Sequence, residues 1–170
     1  MKKSLLQKIL AGLARATIRR YKPVVIGITG SVGKTSARLA AFAVIKGKYR
    51  AATAEKNYNN EIGLPLSILG MPHCGRNVFA WGMVLIKAVL RIYGLAKTID
   101  YPEVLVLEYG IDHPGDMDML VSIARPDIAI VTAIGDLPVH VEFFKNPAEV
   151  IMEKSTLVSA LPATGCAILN

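Results

Sequence analysis

The sequence predicts an α/β fold, a mainly parallel sheet that carries a phosphate loop, and three observations predict it. Residues 24–28, 104–107 and 128–131 form short runs of β-branched and aliphatic residues, which are typical of buried strands. The first run leads directly into a glycine-rich loop and an Ala/Leu-rich segment, a strand–loop–helix arrangement. Hydrophobic residues make up 52% of the chain but aromatic residues only 6%, and such an aliphatic core is typical of parallel sheets.

Length and composition limit the class of protein. A chain of 170 residues is long enough for one domain. With 19% charged and 52% hydrophobic residues, it is not a disordered protein. The two cysteines, Cys74 and Cys166, are far apart and form no C-x-x-C motif, which argues against a disulfide scaffold or a zinc site. This cysteine usage favours the reducing cytoplasm.

The basic charge is concentrated at the N-terminus. The net charge is +7, residues 1–22 contain seven basic residues and no acidic one, and the rest of the chain is balanced. We therefore expect no nucleic-acid partner. Residues 1–21 form a basic leader whose apolar residues recur at helical spacing. Such a helix either packs on the domain or lies on an anionic membrane surface, and the sequence leaves both open.

An apolar stretch over residues 78–96 is long enough to cross a membrane, but Lys87 and Arg91 lie near its middle. Two charges at the centre of a bilayer cost about 5–7 kcal/mol, which cancels the gain from the apolar side chains. The two cations are four residues apart and so share one face of a helix. We expect a docked or interfacial helix within an apolar insertion near residues 76–97.

The glycine-rich loop has the pattern of a nucleoside-triphosphate site. It ends in Gly33-Lys34-Thr35, and a helix is expected near residues 34–46. Glycines let backbone N–H groups approach phosphate oxygens, and the helix N-terminus adds a favourable dipole. Lys34 would reach the β- and γ-phosphates, and the Thr35 hydroxyl would bind Mg²⁺. The candidate ATP-binding residues are Thr29, Gly30, Ser31, Val32, Gly33, Lys34, Thr35 and Ser36.

Polar residues follow the predicted strands. Glu108 ends the second strand, where ligands bind in doubly wound sheets, and we expect it to contact Mg²⁺. His140 follows the third strand, but a lone loop histidine indicates little, because Mg²⁺ prefers oxygen ligands. Asn57 and Asn60 lie in a turn-prone segment before a helix start, where asparagine either caps the helix or binds a ligand.

The last part of the sequence predicts one more helix and one more strand. Pro147 predicts the start of the helix, because proline is favoured in a first turn. Glu149, Glu153 and Lys154 follow on this helix, and their spacing alone indicates an ordinary solvated face. Residues 166–170 have the composition of a strand.

Taken in order, these motifs resemble the central ATP-binding domain of the Mur ligases, over about residues 22–170. The family's own loop is Gly-x-Thr-Gly-x-x-Gly-Lys-[Thr/Ser]. The Asn-Asn-Glu-Ile-Gly-Leu-Pro stretch is most similar to the member that adds D-alanyl-D-alanine to UDP-N-acetylmuramoyl-tripeptide. The matching motifs are Gly27-Ile-Thr-Gly-Ser-Val-Gly-Lys-Thr-Ser36, Asn57-Tyr-Asn-Asn-Glu-Ile-Gly-Leu-Pro65, Leu107-Glu-Tyr-Gly110, Gly115-Asp116, His140 and Glu153-Lys154.

The resemblance implies an ATP-dependent amide ligase of peptidoglycan precursor synthesis. A substrate carboxylate would be activated as an acyl phosphate and attacked by an amine such as D-Ala-D-Ala. The implied partners are a UDP-muramoyl-peptide-like donor, placed near Asn57 and Asn60, and a dipeptide-like acceptor. We expect the domain to be incomplete at its C-terminus and the 170-residue chain to be inactive alone.

The resemblance also implies roles for the candidate residues. Lys34 and the loop amides would hold the β- and γ-phosphates of ATP. One Mg²⁺ would be bound by Thr35 and Glu108, and a second by His140. Lys154 would be the lysine that the family carbamylates, so that it too would be a metal ligand and part of the catalytic set with Lys34 and His140.

Three other functions were compared with this one. A folate-polyglutamate-type ligase shares the ATP chemistry but would not be expected to carry the Asn-Asn-Glu-Ile-Gly-Leu-Pro stretch. A phosphate-loop GTPase or kinase would need a base-reading motif such as Asn-Lys-x-Asp, which the sequence lacks. A non-catalytic, membrane-tethered ATP-binding fragment is the third alternative, and the basic leader favours it.

Overall fold

A five-stranded sheet, with all strands parallel, forms the centre of the molecule. The structure is a computed structural model that describes residues 4–54, 58–95, 100–134 and 143–170. Within these residues the strand order is β2-β3-β1-β4-β5. The strands are β1 (Val24–Thr29), β2 (Ala51–Thr53), β3 (Val104–Glu108), β4 (Ile128–Val131) and β5 (Cys166–Leu169). The α/β fold with a mainly parallel sheet is thus confirmed.

Six helices are described around the sheet. Helices were predicted at the positions of α1, α2, α4 and α6, a helix start was expected where α3 begins, and α6 begins at its proline as expected. The sequence pattern predicted neither β2 nor α5. The helices are α1 (Leu5–Tyr21), α2 (Lys34–Ile45), α3 (Gly63–Leu69), α4 (Val78–Ile92), α5 (Asp116–Ile123) and α6 (Pro147–Ser159).

Alternate residues of the central strands enter two different cores. Ile26 and Ile28 of β1 pack with the apolar side of α2 on one face of the sheet. Val25 of β1, with Leu105 and Leu107 of β3, packs on the other face against residues from α1, α3, α5 and α6. Because side chains of a strand point alternately to opposite faces, an almost wholly apolar strand is covered by helices on both sides.

The helix α1 packs on the domain. Its first turn is capped by Ser4, whose hydroxyl accepts a hydrogen bond from the Gln7 amide, and the Gln7 side chain accepts one from the Ser4 amide. Leu10 and Ala14 are fully buried, against α3, α4 and α5. The basic side chains Arg15 and Arg19 remain exposed. One face of α1 therefore belongs to the core and the other is cationic.

The helix α4 is apolar on both faces. Val84 and Ala88 are buried against α1 and α3. The opposite face is exposed, and Phe79, Met83 and Ile86 lie on it. No helix in the described part of the chain is both long enough and apolar enough to cross a membrane. The packing of Val84 and Ala88 shows that α4 is docked on the domain, which is one of the two positions expected for it.

The parallel arrangement of the strands determines where the candidate site lies. The carboxyl ends of β1, β3 and β4 lie together at one edge of the sheet, because the three strands are adjacent and in register. The loops that follow these strands therefore meet there, as in other doubly wound sheets.

Candidate functional site

The phosphate loop folds tightly onto the end of β4. At Gly30 the φ angle is +145°, and a Cβ atom there would lie 2.0 Å from the Thr132 hydroxyl oxygen, so only glycine fits. That hydroxyl donates to the Val32 carbonyl at 2.7 Å. The amides of Ser31 and Val32 both donate to the Ala133 carbonyl, at 3.0 and 3.2 Å. The loop is thus fixed by β4 as well as by β1.

The loop leads into the N-terminus of α2, which has Gly33 as its N-cap and no side-chain cap. Backbone N–H groups of this first turn have no partner within the helix, and together with the helix dipole they favour the binding of an anion. The Lys34 ammonium donates to the Gly30 carbonyl at 2.9 Å and lies within 3.4 Å of the Ser31 carbonyl. It therefore stands over the loop, beside the position that a phosphate group would take.

Thr29 supports the loop from beneath. Its side chain is fully buried, and its hydroxyl donates to the Tyr109 carbonyl at 3.0 Å. The geometry therefore gives the Thr29 side chain a structural contact, whereas Ser31, Lys34, Thr35 and Ser36 line the open space around the loop.

Glu108 lies at the centre of a hydrogen-bond network. Its side chain is only 4% exposed. The Thr35 hydroxyl donates to its Oε2 at 3.1 Å, and the Arg38 guanidinium contacts the same oxygen at 3.3 Å. The Asn59 amide donates to Oε1 at 3.1 Å. The two residues expected to share one Mg²⁺, Thr35 and Glu108, are therefore in direct contact.

The structure brings Lys154 to the phosphate loop from α6. Its ammonium donates to the Ser31 hydroxyl at 2.9 Å, and the side chain is 4% exposed. Burial, and then repulsion from Lys34, lowers the pKa of Lys154 from 10.5 to about 8. It is thus a buried group at the site, and the solvated helix face suggested by its spacing alone is not observed.

Asn60 caps α3 and also faces the site. Its side-chain oxygen accepts hydrogen bonds from the Gly63 amide at 2.9 Å and the Ile62 amide at 3.3 Å. It also lines a cleft that extends from the loop. Asn57 and His140 lie outside the described residues, and their predicted roles stay predictions. The cleft is lined by Gly30, Ser31, Lys34, Asn59, Asn60, Gly110, Ile111, Asp112 and Lys154.

The residues present are suited to Mg²⁺. The described ranges contain no cluster of three or more His, Cys, Asp or Glu side chains that could hold a metal alone. Mg²⁺ does not need one, because it is usually held by one or two protein oxygens together with substrate phosphates and water. The adjacent Thr35 hydroxyl and Glu108 carboxylate would supply such oxygens.

Three residues of the site region were not identified from the sequence. Arg38 and Asn59 contact Glu108. The Glu153 carboxylate accepts hydrogen bonds from the Gly115 amide at 3.0 Å and the Met117 amide at 2.8 Å, so it caps α5 from α6. The position of Arg38 one turn after Thr35, on the same helix face, was the available signal for Arg38.

The comparisons with known proteins agree with this geometry. Residues 87–170 match the family model of the Mur ligase middle domain. Over 159 residues, 94% of this chain, the sequence is 30% identical to the UDP-N-acetylmuramoyl-tripeptide--D-alanyl-D-alanine ligase of Bacillus subtilis. It is 29% identical to the Escherichia coli ligase of the same name over 164 residues, which are 96% of this chain. The chain spans 28% and 30% of the length of these two relatives.

Solved structures of Mur ligases are also similar to this chain. The crystal structure of the MurF ligase from Thermotoga maritima in complex with ADP superimposes on 99% of this chain, with a TM-score of 0.73 and 28% identity. The chain covers 32% of that structure. A MurF structure from Acinetobacter baumannii, at 21% identity and a TM-score of 0.70, shares the fold. Together with the family match over residues 87–170, these findings show that the chain is similar in sequence and fold to the middle domain of the Mur ligases.

Proposed function

We propose that this chain is the nucleotide-binding part of an ATP-dependent amide ligase of peptidoglycan precursor synthesis. One observation carries the proposal. Lys34 and Thr35 from α2, Glu108 from β3 and Lys154 from α6 converge on one loop and its cleft. Phosphoryl transfer between anions depends mainly on positioning and on neutralising charge, and this arrangement supplies cations, amides and metal ligands for both.

The proposed reaction has two steps. A carboxylate oxygen of the donor attacks the γ-phosphorus of ATP, the bond to the β-phosphate oxygen breaks, and ADP leaves. The product is an acyl phosphate. The amine of the acceptor then attacks its carbonyl carbon, inorganic phosphate leaves, and the amine loses a proton as the amide forms. The named activity of the relatives supports a UDP-muramoyl-tripeptide donor and a D-Ala-D-Ala acceptor, and the reaction would take place in the cytoplasm.

Each described residue has a part in the proposal. Lys34 neutralises the β- and γ-phosphates together with the first turn of α2. Thr35 and Glu108 would hold Mg²⁺, which when bound neutralises phosphate charge. Lys154 acts as a carbamate, formed when its neutral amine adds to CO₂ and loses a proton. A carbamate offers oxygens that suit Mg²⁺, whereas an ammonium does not.

The first experiment tests the nucleotide site. We expect Mg·ATP to raise the melting temperature of the chain, and Lys34→Ala to abolish this rise because no phosphate charge is then neutralised at that position. Lys46→Ala is the matched control, since Lys46 lies at the opposite end of α2. Equal stabilisation of the wild type and Lys34→Ala would exclude the phosphate-loop assignment.

The second experiment tests the substrate class. In the presence of Mg·ATP, UDP-muramoyl-tripeptide is expected to stabilise the chain further, since its carboxylate would lie beside the bound phosphates. A reduced folate is the control ligand. Stabilisation by the folate and none by the UDP-muramoyl-tripeptide would favour the folate-polyglutamate-type alternative.

We further propose that the chain attaches to anionic membrane surfaces through α1 and α4. The observation is an exposed apolar row on α4 and its C-cap: the exposed fractions are 90% for Phe79 and 55% for Ile86 on the helix, and 73% for Tyr93 at the C-cap. Lys87 lies on the same exposed side, and Arg20 of α1 lies against Gly94 just after α4 ends. Neither helix contains an acidic residue.

The charge of this surface favours a lipid partner. An apolar helix face flanked by cations is typical of helices that lie in the membrane interface. Each Lys or Arg close to an anionic surface contributes about 1 kcal/mol. A second copy of the chain would bring Lys87 and Arg20 against like charges, which is unfavourable.

Sedimentation with vesicles tests the attachment. We expect binding to phosphatidylglycerol vesicles at low salt, weaker binding at high salt, and little binding to phosphatidylcholine. Phe79→Ser with Ile86→Ser should reduce binding, and Val44→Ser on α2, which is also well exposed, is the control. Absence of binding to anionic vesicles at low salt would contradict the proposal, and concentration-dependent dimers that the double variant abolishes would assign the face to a second copy.

A further inference from the structure

We infer that Arg38 is a positioning residue, which fixes the Glu108 carboxylate beside Thr35 and joins it to the end of β2. The inference rests on the proposed function, because it concerns the metal-binding role of Glu108. Arg38 lies on α2 one turn after Thr35, and its side chain is only 2% exposed. It is therefore a buried cation inside the site and not a surface arginine.

The guanidinium makes contacts on two sides. Its Nε lies 3.3 Å from Glu108 Oε2. Its Nη1 donates to the Thr53 hydroxyl at 2.9 Å and to the Ala54 carbonyl. The Thr53 hydroxyl in turn donates to the Val106 carbonyl at 2.7 Å. One rigid, planar group thus connects α2, the end of β2 and the end of β3.

The contacts determine the direction of the Glu108 carboxylate. Thr35 and Arg38 both contact Oε2, and Asn59 donates to Oε1, so each oxygen has a donor. The backbone of Asn59 is also held, because its main-chain carbonyl accepts a hydrogen bond from the Gly110 amide at 2.8 Å. Removal of Arg38 would break the ion pair that Glu108 makes within the described residues, and we expect the position of this buried carboxylate to change.

A packing role alone does not account for these contacts. A buried ion pair often stabilises a protein no more than apolar side chains of similar volume do. Arginine, unlike lysine, can reach partners on two sides with one planar group. Partners of a metal ligand that fix its orientation typically change metal affinity by about 10–100-fold when they are removed.

The experiment compares Arg38→Met and Arg38→Lys with the wild type. It measures the Mg²⁺ concentration that gives half of the ATP-induced rise in melting temperature, and ATP binding by calorimetry in EDTA. Circular dichroism reports whether each variant is folded. Arg125→Met is the matched control. Arg125 also donates to backbone carbonyls, but these are the carbonyls of Ala160 and Leu161 at the C-terminal end of α6.

We expect Arg38→Met to raise the half-saturating Mg²⁺ concentration at least about tenfold, with metal-free ATP binding unchanged. Arg38→Lys should restore it partly, and Arg125→Met should have no effect. A folded Arg38→Met with the wild-type Mg²⁺ requirement would overturn the inference alone. If Arg38→Met does not fold, a folded Arg38→Lys with the wild-type Mg²⁺ requirement would overturn the inference instead. A wild type without Mg²⁺-dependent ATP binding would overturn the proposed function and the inference together.

Discussion

At the scale of single residues, what the sequence could predict depended on how strongly the chemistry constrains the residue type. Lys34, Thr35 and Glu108 could be selected as candidates because a loop that binds phosphate and Mg²⁺ would need a cation, a hydroxyl and an acid at defined places, and the structure brings the three together. Arg38 was not, because an arginine within a helix is most often exposed. Its burial depends on Glu108, which is 70 positions away in the sequence. Asn60 remained ambiguous, and the structure shows it both as a cap and at the cleft.

The proposed carbamate of Lys154 can be tested by direct observation. With ¹³C-labelled bicarbonate, we expect a carbamate carbonyl signal in the ¹³C NMR spectrum of the chain, because the low pKa of Lys154 leaves an appreciable neutral fraction near neutral pH. Lys154→Ala should remove the signal. Lys145→Ala should keep the signal, since Lys145 precedes α6 and its side chain is 88% exposed. A signal that persists in Lys154→Ala would assign the carbamate to another amine.

The low pKa of Lys154 also has a consequence for stability. The unfolded side chain titrates near 10.5 and the folded one near 8, so between these pH values the unfolded chain binds more protons. The contribution of Lys154 to the free energy of unfolding should therefore rise from pH 8 to pH 10.5. Urea unfolding without nucleotide or bicarbonate, compared with Lys154→Met, isolates this contribution. A difference between the two proteins that does not change over this range would contradict the pKa of about 8.

At the scale of helices and strands, long or strongly patterned segments were predictable and short ones were not. The three central strands were found within one residue of their expected ends, because each is a continuous apolar run. β2 has only three residues, and it was missed because its pairing with β3 and not its own sequence defines it. α5 follows Gly115, an N-cap residue that has no side chain to cap the helix, so the strongest local signal of a helix start was absent.

The cap of α5 gives a prediction for this scale. Glu153 of α6 accepts two hydrogen bonds from amides at the start of α5, and its negative charge interacts favourably with the positive end of the helix dipole there. We expect Glu153→Ala to lower the free energy of unfolding by about 1–2 kcal/mol. Met152→Ala is the control, because Met152 is the exposed neighbour on the same helix.

Urea unfolding measures both variants. A decrease for Glu153→Ala no larger than that for Met152→Ala would show that the contact between α6 and α5 does not stabilise the helix start. The Lys34-dependent binding of Mg·ATP should survive in both variants, since neither residue contacts the phosphate loop.

At the scale of the whole molecule, the parallel sheet explains why residues distant in the sequence form one site. The loops after β1 and β3 and the helix after β4 meet at the carboxyl edge of the sheet because β1 lies between β3 and β4. The sequence predicted the strands but not their order, which is a property of the packed chain. We therefore expect a bound nucleotide to contact several segments that are separate in the sequence.

Amide hydrogen exchange with and without Mg·ADP tests this link. We expect slower exchange in three separate segments, residues 30–36, 108–112 and 150–154, because the nucleotide phosphates would be held by groups from all three. Residues 78–92 of α4, which pack away from the loop, should exchange at the same rate with and without nucleotide. Lys34→Ala is the control for binding at this site. Protection confined to residues 30–36 would mean that Glu108 and Lys154 do not take part in holding the ligand, and their proposed roles would then be wrong even though the loop binds phosphate.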